Sequence, residues 1–345
     1  MNNVCDTDVL IIGAGLAGSV LAYRLRRHGL RVAIAERGRL DALDKLCAGA
    51  LDESVERLFD GVYGPGSLVS IGLHAASQRV VSCVGASIEG DASFATVPRK
   101  RLDDYCRARA IGAGARVLER TVPVRFDLPL NRAELQDLRR KRRLAVRYRA
   151  LVGADGACSA TRRLVTGRPP RVCPAIQYTC DGARDVYALE FRPGVEGYCW
   201  HFSQGEKAAV GACVMGDDVP PRDMRAWLAE FSARLGVETR GLRGAPIPTG
   251  DDVLLRHGLN AWFVGDAAGL ITDLGGGIHY AIGSAALLAD SLAGGEPYED
   301  AMAPTVAEVT GMARSIELSY LMRCVQITRS GVAHEGASPK RPELI

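Results

Sequence analysis

The first apolar runs of the chain fall into a strand, a helix and a second strand. Thr7 to Ile12 is β-branched and aliphatic, with the length of a buried strand. A glycine turn follows, Gly13-Ala14-Gly15-Leu16-Ala17-Gly18. Ser19 to His28 then carries apolar residues at helical spacing and stops at Gly29. Arg31 to Glu36 predicts the second strand. Further on, Val97 to Arg120 predicts a strand end, a helix over 102–111 and a strand around 115–118. Leu144 to Val152 alternates and then turns wholly apolar, which predicts a strand or hairpin arm, interrupted by Gly153-Ala154-Asp155-Gly156. Val172 to Val214 holds short strand runs between turn residues, the pattern of an antiparallel sheet. Pro220 to Leu235 places Met224, Trp227, Leu228 and Phe231 at helical spacing. Trp262 to Gly265 reads as a strand and Gly276 to Leu292 as a small-residue helix. The polar stretch after Gly331 reads as a loose tail.

Composition narrows the class. The 345 residues are 47% hydrophobic and 24% charged, which is globular and excludes a mostly disordered or fibrous chain. A formal net charge of +3 does not suggest a dedicated nucleic-acid binder. The ten cysteines form no C-x-x-C pair, so a zinc ribbon is not expected, and no metal site is expected elsewhere. Scattered through apolar stretches, they read as reduced core residues in a cytoplasmic protein. No basic leader precedes the first apolar run, so no signal peptide is expected. The most apolar long stretch, Asn260 to Gly295, contains Asp266, Asp273 and Asp290 and is a poor membrane span.

The candidate chemistry begins with Gly13-x-Gly15-x-x-Gly18 and Glu36. The first glycine permits a tight turn, the second admits a pyrophosphate, and the third lets the helix pack on the strand. The helix N-terminus offers N–H groups and a positive dipole end to phosphate. Glu36 suits the two hydroxyls of a ribose. The fingerprint alone leaves NAD and FAD both open. Two later motifs bear on the choice: Gly153-Ala154-Asp155-Gly156, and Gly265-Asp266-Ala267-Ala268-Gly269 after the strand at Trp262.

With all three motifs in order, residues 6 to 295 resemble the FAD-dependent oxidoreductases of the aromatic-hydroxylase fold, which include monooxygenases and geranylgeranyl reductases. The resemblance implies that Gly13, Gly15, Gly18 and Glu36, with Arg37 beside them, hold the ADP half of FAD. It implies that Arg99 lies near the cofactor and Asp155 by the pyrophosphate and ribityl region. Gly265 and Asp266 would bind the ribityl chain, and Gly275, Gly276 and Gly277 would lie against the isoalloxazine. The nearer likeness is to the geranylgeranyl reductase group. Lys45-Leu46-Cys47-Ala48-Gly49 resembles its Lys-x-Cys-Gly-Gly segment near the flavin, and Tyr198-Cys199-Trp200-His201-Phe202 resembles its Tyr-x-Trp-x-Phe-Pro cavity strand. Gly269 stands where aromatic hydroxylases often carry His. Ser203 stands where the group has Pro, the segment Leu270 to Ile278 is one residue short, and Asp273 displaces the usual Pro.

Tyr198, Trp200 and Phe202 alternate and so share one face of a strand, either a cavity wall or plain core. His201 falls on the other face and is expected to be a satisfied or surface histidine. Cys47 is a candidate flavin-side thiol, His279 a candidate contact to substrate, and Asp273 a helix cap or, less favourably, a base beside the flavin. The run Arg139 to Arg143 is expected to be a solvated turn between hairpin strands.

The expected fold is a Rossmann-like α/β FAD-binding domain with an inserted antiparallel β-sheet substrate domain. The FAD domain would take residues 1–75, 95–165 and 250–300, the substrate domain 76–94 and 166–249, and a helical segment and tail 301–345. The expected function is an FAD-dependent oxidoreductase, first a monooxygenase of a lipophilic or aromatic small molecule, with NAD(P)H as transient reductant. A flavin-dependent C=C reductase of the geranylgeranyl reductase type is the alternative, and an FAD-binding protein without turnover the third reading. No transmembrane segment is expected, while peripheral membrane contact stays open.

Overall fold

Four-residue runs that are apolar on both faces can only sit in the middle of a layered structure. Val9–Ile12, Val32–Ala35 and Ala150–Gly153 are such runs, each buried throughout. The computed structural model describes residues 4–51, 53–90, 94–181, 185–215, 220–237, 240–330 and 332–333. In it the three runs form the centre of a six-stranded sheet ordered 256–257, 261–263, 150–153, 9–12, 32–35 and 116–118. All pairs are parallel except that of Arg256–His257 with Ala261–Phe263. The helix Leu16–Arg27 makes the crossover from Val9–Ile12 to Val32–Ala35. It therefore starts at Leu16, three residues before the sequence pattern places it, because Gly15 is its N-cap and the glycine turn belongs to its first turn.

Side chains alternate across this sheet. Val9, Ile11, Val32 and Ile34 pack against Leu16–Arg27, Arg99–Gly112 and Ile278–Leu292. Leu10, Ile12, Ala33 and Ala35 pack against Ala133, Leu135 and Val146 of a second, four-stranded sheet. That second sheet is built from Val4–Asp6, Thr121–Asp127, Arg132–Asp137 and Arg142–Arg147. The expected single arm from Leu144 to Val152 is thus two strands in two sheets. The chain changes layer at Tyr148-Arg149, where Tyr148 N donates to Asn131 O while Arg149 N and Ala150 N donate to Asp8 O. The basic run forms the exposed turn between Arg132–Asp137 and Arg142–Arg147, with Asp137 accepting from the Arg139 and Arg140 amides.

The strands of the 172–214 region form an eight-stranded sheet ordered 243–248, 172–181, 207–214, 197–203, 186–191, 78–83, 86–90 and 332–333. One face packs on helix Pro221–Leu235 through Met224, Trp227, Leu228 and Phe231. The other face carries Tyr198, Trp200 and Phe202 and meets two things: the helix Ile316–Ser330, and segments of the first layer at Ala48, Ala50 and Leu274. The tail beyond residue 333, read from sequence as loose, lies outside the described residues.

Candidate active site

The glycine turn is closed so tightly that two of its three positions admit no side chain. Gly13 has φ +105°, and a Cβ there would lie 2.5 Å from Ala154 O. A Cβ on Gly18 would lie 2.1 Å from Gly13 O. Gly15 differs: no protein atom lies within 4 Å of its Cβ position. This is a cradle with packed flanks and an open centre at a helix N-terminus, the form a pyrophosphate requires.

Glu36 is buried at the end of the neighbouring strand. Its Oε2 accepts from Ala14 N at 2.9 Å and its Oε1 from Gly38 N at 2.7 Å. Each carboxylate oxygen keeps a second lone pair, so the two bonds fix the carboxylate and leave acceptors for a ribose. Arg37 is exposed beside it. A residue that sequence reasoning missed completes the turn: Arg107, buried on Arg99–Gly112, donates to Ala14 O at 3.3 Å.

Arg99 opens the same helix and is buried. Its Nη2 donates to Asp103 Oδ1 at 3.1 Å, and its Nε is buried with no acceptor among the described residues. Burial pulls its pKa down, but the neighbouring Asp103 and Cys47 more than offset this, and the net shift is upward. Arg99 is therefore a permanently charged donor with one N–H unused, as expected of a side chain that completes its bonds on a bound group.

Asp155 is engaged within the protein. It accepts from Thr161 N at 2.9 Å, from Thr161 Oγ1 at 3.0 Å and from Ser159 Oγ, and so holds the start of helix Ala160–Thr166. Burial raises its pKa, against the pull of Ser159 and Thr161. It is the backbone of Ala154 and Asp155 that meets Gly13.

Gly265, with φ +56°, starts a short 3-10 turn and donates its N–H to Ser284 Oγ at 3.0 Å. The turn presents Asp266, whose Oδ2 pairs with Lys45 Nζ at 2.7 Å. A Cβ on Gly277 would lie 3.3 Å from Asp266 Oδ1, which brings the Gly265-Asp266 motif against the triple glycine. The segment before the helix Ile278–Leu292 is folded on itself. Thr272 N donates to Gly276 O at 2.9 Å, and Thr272 Oγ1 accepts from Gly276 N at 2.8 Å. Gly275 has φ +70°, and a Cβ there would lie 3.1 Å from the Tyr198 hydroxyl, which donates to Leu274 O.

Asp273 corrects the expectation of a helix cap. The cap of Ile278–Leu292 is Gly277, with no side-chain bond. The Asp273 carboxylate instead accepts from Ser319 Oγ at 2.8 Å and from Arg323 Nη2 at 2.9 Å, and its backbone O accepts from Tyr320 OH at 2.7 Å. The partners sit almost fifty residues downstream, so no local pattern announces them.

Cys47 is half-buried in the loop between these parts. Its Sγ accepts from Gly49 N at 3.4 Å, and it lies beside Arg99. Gly49, with φ +70°, is held against Val97 O, and Ala48 O accepts from Gln204 Nε2 at 2.7 Å. The loop therefore joins the Asp266 motif, through Lys45, to the end of the aromatic strand. Tyr198, Trp200 and Phe202 line one buried face with Tyr187 and Phe191, and Tyr320, Cys324 and Ile327 close it from the C-terminal helix. Burial pushes the Tyr198 hydroxyl far up, so it stays protonated. Trp200 Nε1 is buried with no acceptor among the described residues. His201 is buried on the opposite face with Nδ1 3.3 Å from Val186 O, a satisfied core histidine. The His279 ring lies against Tyr280, with centroids 3.7 Å apart. Among the described residues no His, Cys, Asp and Glu side chains cluster as a metal site.

The comparisons agree with this cradle. Residues 6–170 match the FAD binding domain family. A geranylgeranyl diphosphate reductase of Rhodobacter capsulatus is 30% identical over 290 residues, covering 79% of this chain and 72% of the relative. A digeranylgeranylglycerophospholipid reductase of Methanothermobacter thermautotrophicus is 30% identical over 291 residues, covering 79% and 74%. Among solved structures, a geranylgeranyl bacteriochlorophyll reductase-like protein of Thermoplasma acidophilum superposes with a TM-score of 0.73 at 19% identity, covering 95% of this chain and 88% of that one. PqsL of Pseudomonas aeruginosa, described as a probable FAD-dependent monooxygenase, does so with 0.69 at 22%, covering 94% and 100%. Fingerprint, cradle and relatives together make the chain an FAD-dependent oxidoreductase, and it belongs to the geranylgeranyl reductase family of flavoproteins.

Proposed function

We propose that the protein saturates C=C bonds of an isoprenoid-type chain, using FAD held along the glycine turn at Gly13, the Gly265-Asp266 turn and the triple glycine at Gly275. The observation that carries this reading is the loop 45–50. Cys47 packs against the core of the cofactor layer while Ala48 and Ala50 pack into the aromatic cluster of the sheet. The loop thus carries a thiol between the cofactor cradle and a buried aromatic cluster, which in this reading opens to take the apolar chain. The two relatives at 30% identity carry names of isoprenoid reductases, which supports the same substrate class. Monooxygenation, the first expectation from sequence, draws on fold likeness to PqsL, and fold alone does not fix a reaction.

In this reading Gly13, Gly15, Gly18 and Glu36 hold the adenosine and pyrophosphate of FAD. Arg99 and Asp266 hold its middle, and Gly275, Gly276 and Gly277 support its ring. FAD held by these residues would, when reduced, supply the hydride chemistry for the alkene. The thiol of Cys47 gives a proton to an alkene carbon and recovers it from solvent. Tyr198, Trp200, Phe202 and His279 border the chain, and the apolar wall keeps water from the reacting carbons. NAD(P)H is the proposed source of electrons. Among the described residues no helix is long and apolar enough to cross a membrane.

The test is anaerobic. Protein reduced with dithionite is mixed with geranylgeranyl diphosphate, and the oxidised-flavin absorbance is followed. Its return without oxygen supports the reading; a flavin that stays reduced until oxygen is admitted overturns it.

A further inference from the structure

We infer that Arg323 on the C-terminal helix is a positioning residue that neutralises Asp273 and so keeps the flavin-facing turn favourable to the reduced, electron-rich cofactor. The inference rests on the proposed placement of Gly275, Gly276 and Gly277 against the flavin ring.

Asp273 stands in a turn two residues before Gly275. Long-range bonds stiffen this turn: Ser319, Tyr320 and Arg323 all reach Asp273 from one helix, at 2.8, 2.7 and 2.9 Å. The Tyr198 hydroxyl takes the next carbonyl, Leu274 O, from the opposite side. The turn is thereby clamped between the C-terminal helix and the aromatic strand, and Thr272 ties it internally.

The clamp also has a sign. The Asp273 side chain is only 10% exposed. It lies just ahead of the N-terminus of the 15-residue helix Ile278–Leu292, whose positive dipole end favours added negative charge nearby. An uncompensated carboxylate at that place would cancel the benefit and oppose reduction of a ring held there. Arg323 supplies the compensating charge. The hydroxyls of Ser319 and Tyr320 hold the turn in shape but carry no charge. The guanidinium is held here by its Nη2 bond to Asp273 Oδ2, while its Nε is buried with no acceptor among the described residues.

The experiment measures the flavin midpoint potential of the FAD-loaded protein at pH 8. Arg323→Met is expected to disfavour the reduced form about tenfold, a shift of about 30 mV to more negative potential for a two-electron couple. Arg323→Lys keeps the charge and stays near wild type. The double variant Asp273→Asn with Arg323→Met removes both charges and returns toward wild type. A shift that persists in the double variant overturns the inference, because shape and not charge then sets the potential. Gly276→Ala is the control for the placement, since its Cβ would meet Thr272 Oγ1 at 2.9 Å and disturb the turn. If Gly276→Ala alters the flavin absorption while Arg323→Met leaves the potential unchanged, the inference fails and the placement stands. If neither alters the flavin, both fail. Should Arg323→Met not fold, Asp273→Asn reads the same coupling with opposite sign: about tenfold easier reduction is expected, and no change overturns the inference.

Discussion

Gly15→Ala separates a glycine kept for the fold from one kept for a ligand. At Gly15 the backbone is extended, with φ −72° and ψ −171°, a conformation alanine adopts freely. A Cβ there meets no protein atom within 4 Å. Losing glycine at an N-cap costs about 0.5–1 kcal/mol, and stiffening the unfolded chain returns about 0.4–1 kcal/mol. The apoprotein should therefore unfold within about 0.5 kcal/mol of wild type. The cofactor sees a different site. The methyl group fills the open centre of the cradle and keeps a pyrophosphate from the helix amides. A 100-fold loss of FAD affinity, about 2.8 kcal/mol, is expected. At an FAD concentration about 1,000 times the wild-type Kd, the cofactor adds about 4.1 kcal/mol to the native state; the variant should keep only about 1.4 kcal/mol of this. The assay is thermal unfolding with and without FAD, beside a fluorescence titration. Gly18→Ala is the contrast: its Cβ lies 2.1 Å from Gly13 O, so the apoprotein itself should lose about 1–3 kcal/mol. A Gly15→Ala protein that binds FAD within about threefold of wild type would refute the placement of the pyrophosphate.

Further outcomes follow from the same geometry. Asp266→Ala removes a proposed ribityl ligand and frees the half-exposed Lys45; FAD affinity should fall at least about tenfold with little change in apoprotein stability, and tightly held FAD in that variant would contradict the assignment. Cys47→Ala should keep FAD and slow C=C saturation by about 100-fold; an unchanged rate in single turnover removes Cys47 as the proton donor. Asp8→Asn tests a charge away from the site. Hydrogen bonds from the Arg31 side chain and then its backbone amide hold the Asp8 carboxyl below its ordinary 3.8. A depressed carboxyl stabilises the fold above its unfolded value and loses that contribution as pH falls through the folded one. The variant should thus be less stable than wild type at neutral pH, by at most about 1 kcal/mol because Arg31 is exposed to water. The gap should close in acid, and thermal unfolding at the two pH values would show an equal gap if the pairing were absent.

The cofactor cradle was legible because its logic is local. Gly13, Gly15 and Gly18 lie within six residues, and each has a steric reason that the spacing already states. Tyr198, Trp200 and Phe202 were legible as one face because strand side chains alternate. What they face was not, since Tyr320, Cys324 and Ile327 come from a helix over a hundred residues on, and nothing in its own pattern gives its docking partner. Asp273 shows the limit most clearly. A carboxylate before a helix suggests a cap, and only tertiary contact with Ser319 and Arg323 removes it from that role. Arg107, and the pairing of Lys45 with Asp266, were missed for the same reason, each reaching a motif through a long-range bond. The false continuity of Leu144 to Val152 arose because apolar patterning records burial and not which sheet provides it; the hydrogen bonds at Tyr148 and Arg149 decide the layer.

The most direct measurement of the central claim is the product of one anaerobic turnover. Reduced, FAD-loaded protein is incubated with geranylgeranyl diphosphate in the absence of oxygen, quenched, and the substrate examined by mass spectrometry. A product heavier by two hydrogen atoms for each double bond saturated is what a cofactor cradle joined by the Cys47 loop to the buried aromatic cluster predicts. Unchanged substrate without oxygen, and a product carrying one added oxygen atom once air is admitted, would contradict it.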